Sequence, residues 1–93
     1  MLTLHIRPDG DHQVVARVFD GKRLIGEPTF HPQLEQAIKA YGDARFHSPE
    51  VAASSAYDLW FRGWTVGAVT VEQMREDAHA LARRLVMLAA VMR

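Results

Sequence analysis

The feature that most restricts how this chain can fold is a change of hydrophobic period at His31-Pro32. Before it, Leu2, Leu4 and Ile6 alternate with Thr3, His5 and Arg7, the period of two that buries one face of a strand. After it, Leu34, Ile38 and Tyr41 recur at i, i+4 and i+7, the spacing of one helical face. Strand signals confined to the first third and helical signals beyond describe segregated layers rather than alternating strand and helix. The expected architecture is therefore α+β: an N-terminal three-stranded antiparallel β-meander followed by three α-helices, the last one long.

Turn chemistry divides the first third. Pro8-Asp9-Gly10-Asp11 supplies fixed and positive φ values for a reversal, and Val14, Val15, Val18 and Phe19 make a second strand. Asp20-Gly21 suits a two-residue type I′ turn, and Lys22 to Phe30 returns as a third strand. Pro28 has no ladder donor, which assigns that strand to a sheet edge. Helix one runs to about Tyr41, with Gly42 as a left-handed terminator. Ser48-Pro49-Glu50 repeats a helix-start signal, hydroxyl cap, proline and acid in order, and predicts helix two over Pro49 to Trp64. Thr65 to Thr70 reads as an extended connector or a short strand. Thr70 and Gln73 stand at capping-box spacing, so helix three begins near Val71 and, carried to Arg93, extends roughly 33 Å.

With 93 residues the chain holds one domain, divided as 1–30 meander, 31–67 helix-loop-helix and 70–93 long helix. So short a chain is marginally stable by itself, which favours self-association. Eleven basic residues balance eleven acidic ones, so no net field draws it to phosphate backbones, although a local patch is compatible with that balance. There is no cysteine, hence no disulfide framework, thiolate nucleophile or Cys-type zinc site, and a reducing cytoplasm is the expected compartment. No export signal and no spanning apolar run is evident, so no membrane association is expected.

Two features are candidates for function. Met74, Ala78, Leu81, Leu85, Leu88 and Met92 follow one another at 4-3-4-3-4, a stripe at coiled-coil repeat on one side of helix three. Such a stripe packs on the domain's own sheet and helix one, or on a partner. The run from Leu85 to Met92 is apolar on every face, which favours an interface, with a homodimer as the simplest assembly. The second feature is the segment from Ser48 to Trp64, where both tryptophans stand four residues apart and would share a helical face. Buried aromatics in a small core are the plain account of such a pair.

Pro49, Ser54, Trp60, Gly63 and Trp64 follow a Pro-x4-Ser-x5-Trp-x-x-Gly-Trp pattern, and in residues 35–67 the chain resembles the ribosome modulation factor family of small bacterial proteins. The resemblance implies a helix-loop-helix unit and attachment to the ribosome or to RNA, with Arg62 beside the motif on the candidate face. The chain lacks that family's basic clusters between Asp43 and Glu50, and its other arginines are dispersed.

Catalytic signals are absent from the pattern. His5, His12, His31, His47 and His79 are scattered without metal-ligand spacing, and neither a phosphate-cradling glycine loop nor a nucleophile elbow occurs. No enzyme activity, metal or cofactor is expected. The sequence reads as a small regulator or inhibitor, of a kind that bacteria, phages and other mobile elements encode, acting stoichiometrically on a protein partner. A ribosome- or RNA-binding factor is the alternative.

Overall fold

The computed structural model describes residues 2–43 and 56–91. The chain forms β1 (Leu2–Pro8), β2 (Val14–Asp20), β3 (Arg23–His31), α1 (Leu34–Gly42), β4 (Ala56–Phe61), β5 (Trp64–Thr70), α2 (Val71–Glu76) and α3 (Ala78–Val91). The five strands make one mixed sheet in the order β3-β2-β1-β4-β5. β1 pairs antiparallel with β2 and parallel with β4, and β4 pairs antiparallel with β5. The meander is present, with Pro28 on an edge strand as its missing donor requires. Its second turn is displaced by one residue: Asp20 pairs with Arg23, and Gly21, at φ 63, opens the two-residue loop with Lys22.

The layout after α1 corrects the expected one. The described part of the segment assigned to helix two, residues 56–64, is strand β4, a turn and the start of β5, so the sheet has five strands rather than three. Tyr57, Leu59 and Phe61 are buried while Ala56, Asp58 and Trp60 are half-buried, an alternation of period two. Aromatic residues favour a pleated surface, and Arg62-Gly63, both at positive φ, closes the hairpin as a type I′ pair. The start signal at Ser48-Pro49-Glu50 lies outside the described residues. Thr65 to Thr70 takes the second of its two expected forms, a strand.

Helix three is also divided. It starts as expected, with the Thr70 hydroxyl accepting from the Gln73 N–H at 3.0 Å and the Gln73 side chain accepting from the Thr70 N–H at 2.9 Å. At Asp77 the backbone leaves helical geometry (φ −117°, ψ 26°), ending α2 before α3 begins. The break lets α2 lie against α1 while α3 crosses β4 and β5. Gly42 is the close point of the first contact. A Cβ there would stand 2.6 Å from the Arg75 backbone nitrogen. Gly42 therefore serves close approach from inside the helix instead of terminating it in a left-handed conformation, and the Asp43 N–H caps onto Ala40 at 3.1 Å.

The core lies between the sheet and these helices, with Leu4, Ile6, Ile38, Tyr57, Leu59, Met74 and Leu85 fully buried. At the β3 side the Thr29 hydroxyl lies 2.8 Å from the Tyr41 hydroxyl and 2.9 Å from His31 Nε2, and Tyr41 meets Tyr57 edge to face with centroids 6.2 Å apart. Burial, with Tyr41 alongside, pushes the Tyr57 hydroxyl up to about 12. Burial raises Tyr41 as well, against the opposing hydrogen bond from Thr29.

Candidate functional site: the open face of the sheet

Core-facing strand residues point toward the helices, so their alternates point to a face that no described helix covers. Register fixes what stands there. Phe30, Val15 and Arg7 are aligned across β3, β2 and β1. Arg17, His5, Trp60 and Thr65 form the next row across β2, β1, β4 and β5. Leu24, Phe19, Thr3, Asp58 and Ala68 form the third. Phe30 is 57% exposed and Leu24 43%. Val15, between the exposed Arg7 and Phe30 in that row, is itself buried.

The basic residues converge at one end. The Arg62 backbone N–H donates to the Ile6 carbonyl at 3.1 Å, which carries the β4–β5 turn alongside β1. His5, Arg7, Pro8, Arg62 and Gly63 line a cleft of ≈ 490 Å³ there. Partial burial lowers the His5 pKa, and the Arg7 and Arg17 charges lower it further. Neither Arg7, Arg17 nor Arg62 has an ion-pair partner among the described residues. Of the residues that register places on this face, Asp58 is the acid, and its carboxylate lies 2.9 Å from the Thr65 hydroxyl. That hydroxyl also accepts from the Gly67 N–H at 2.8 Å, pinning the bulge between β4 and β5. The indole Nε1–H of Trp60 is buried with no hydrogen-bond partner among the described residues.

The sequence-predicted residues separate on this framework. Trp60 and Arg62 join the open-face cluster, and Gly63 supplies its turn at φ 88. Trp64 pairs with Phe61 and so belongs to the core-side face: four residues apart on a helix would align the tryptophans, whereas a hairpin sends them to opposite faces. The helix-loop-helix implied by the family resemblance is not what residues 56–67 form. Pro49 and Ser54 lie outside the described residues. The contributions of His5, Arg7 and Arg17 were missed because they are neighbours through strand pairing, although the alternation of β1 already placed His5 and Arg7 on one face.

Met74, Ala78, Leu81 and Leu85 are buried against this chain's own sheet and α1, which removes them as an external interface. Leu88 is half-buried, and Met92 lies outside the described residues. What α3 leaves outside is its flank: Val86 is 51% exposed, Met87 60% and Val91 76%. Beside that flank an apolar groove of ≈ 350 Å³ runs between α1 and α3 over Leu34, Ala82, Val86 and Met87. Its rim carries Arg83 and a 2.6 Å contact between His79 Nδ1 and Glu35.

Among the described residues no three His, Asp or Glu side chains gather as a metal site, and no helix is long and apolar enough to cross a membrane. No protein family, curated protein or solved structure matches the chain.

Proposed function

We propose that the protein is a non-catalytic regulator or inhibitor that acts by stoichiometric binding, pairing with a second copy along α3 and presenting the open face of its sheet to a macromolecular partner. The observation that supports this most is the one-sided placement of the helices. A sheet of five strands that the described helices cover on one face leaves Phe30 and Leu24 exposed beside arginines with no ion-pair partner among the described residues, a surface that binding would desolvate. Pairing along α3 follows from the exposed Val86, Met87 and Val91 next to an apolar groove of matching character. A two-fold axis brings the same patch together from both copies, and it can set Glu35 of one copy near Arg83 of the other.

Light scattering and affinity capture test the two parts separately. Wild-type protein at tens of micromolar should scatter as a dimer, and Met87→Glu as a folded monomer. A monomeric wild type would remove the pairing. Capture from the native cell should retain a stoichiometric partner with Met87→Glu and lose it with Phe30→Glu; retention by both variants would remove the open face as the binding surface.

A further inference from the structure

The basic end of the open face has a chemistry that the proposed function does not specify. We propose that the open face binds single-stranded nucleic acid, with Arg7, Arg17 and Arg62 on the phosphates and Trp60 and Phe30 as platforms for unpaired bases. The proposal rests on the reading of that face as the binding surface and names its ligand.

Three observations support it. First, the three guanidiniums lack carboxylate partners among the described residues, and two of them already depress the titration of His5. Guanidiniums that no carboxylate engages, with Asp58 turned to Thr65, favour an anion, and guanidinium matches phosphate geometry. Second, aromatic rings share the surface with these cations. Phe30 on β3 and Trp60 on β4 lie three strand spacings and one row apart, about 16 Å, with Arg17 and His5 on the strands between them. Rings alternating with cations on a sheet face that no described helix covers allow bases to stack while the backbone follows the charge. An acidic peptide would satisfy the arginines but gives the exposed Phe30 and half-buried Trp60 rings no planar partners. Third, among the described residues the surface is a sheet face without a projecting helix or ribbon to enter a groove, so a duplex offers it fewer contacts than splayed bases do.

The arrangement sets the size of the effects. Three phosphate contacts on a single strand give a slope of about −2 in log K against log salt, and removing one arginine reduces it by about 0.7. Loss of a stacking ring weakens binding by roughly 5- to 150-fold. The test is fluorescence anisotropy of labelled twelve-residue oligo(dT) and oligo(U), with a twelve-base-pair duplex, polyphosphate and polyglutamate as competitors. The proposal expects both single strands to bind, with their ratio showing any preference for ribose. It further expects the predicted salt slope, its reduction in Arg17→Gln, and weakening in Trp60→Ala with circular dichroism unchanged. Trp60→Phe, which keeps a ring, should bind close to wild type.

No anisotropy change at low salt, or binding that polyphosphate displaces equally and Trp60→Ala leaves intact, overturns it. Preference for polyglutamate would assign the face to an acidic protein instead. If oligonucleotides do not bind but Phe30→Glu still loses a protein from native extract, the nucleic-acid assignment fails and the open-face reading stands. If Phe30→Glu loses neither oligonucleotide nor protein, both fail.

Discussion

The two faces of the sheet are built from the same strands yet obey different rules. On the covered face Leu4, Ile6, Tyr57 and Leu59 have no exposed surface, and their neighbours are apolar residues of α1, α2 and α3. On the open face the alternating positions of those strands hold His5, Arg7, Arg17 and Trp60, charged or amphipathic residues. Burying apolar surface stabilises the first at roughly 25 cal/mol per Å². The second buries less, Val15 and part of Trp60, and its remaining positions are charged or exposed, so its composition answers in part to something other than folding. Stability and binding are thereby divided between the sides of one sheet, and a substitution should disturb one or the other.

The largest effect should come from charging the covered face. Leu85 is fully buried under the sheet. Leu85→Asp places a carboxylate there without a partner and costs several kcal/mol, a large share of what a domain of this size holds. Far-UV circular dichroism should show an unfolded or molten protein at 25 °C. A cooperative melt near that of wild type would mean that the helix layer is not what holds the sheet, and the division between faces would collapse.

A smaller effect should mark the tightest fit within the helix layer. In Gly42→Ala the new methyl meets the Arg75 backbone, which cannot swing aside as a side chain would. Overpacking of this kind costs about 1–3 kcal/mol, or very roughly 5–15 °C in melting temperature for a chain of this length. Helix propensity alone favours alanine over glycine by about 1 kcal/mol, so a rise in melting temperature would show that α1 and α2 separate easily.

How much of this was legible depended on the range of the interactions. The meander, α1 and the Thr70–Gln73 cap are written in residues within a few positions of one another, and they could be read directly. The segment 56–64 could not. Its alternation of Tyr57, Leu59 and Phe61 competed with a strong helix-start signal upstream and with a four-residue spacing of tryptophans that suits a helix equally well. Pairing of β4 with β1 settled the matter, and no local rule contains that contact, which joins Leu4 to Leu59 across 55 positions. The open-face cluster was hidden for the same reason: dispersed arginines become neighbours once β1 lies between β2 and β4. The burial of Met74, Ala78, Leu81 and Leu85 was legible as a stripe, but its owner was not, because periodicity gives the direction of an apolar face and not the identity of what covers it.

The smallest effect is the most informative about the open face. Trp60 contributes a ring to that face and a buried N–H with no acceptor among the described residues. An unsatisfied buried donor costs on the order of 1–3 kcal/mol, while trimming the indole to a phenyl ring loses a comparable amount of packing. The two changes oppose each other in Trp60→Phe, so the melting temperature should move by less than about 5 °C in either direction. A tryptophan acting as a structural pillar would behave differently, falling by ten degrees or more as the sheet lost its cross-strand contact with His5. That outcome would assign Trp60 to folding rather than to binding and would move the boundary between the two roles from the plane of the sheet into the open face itself.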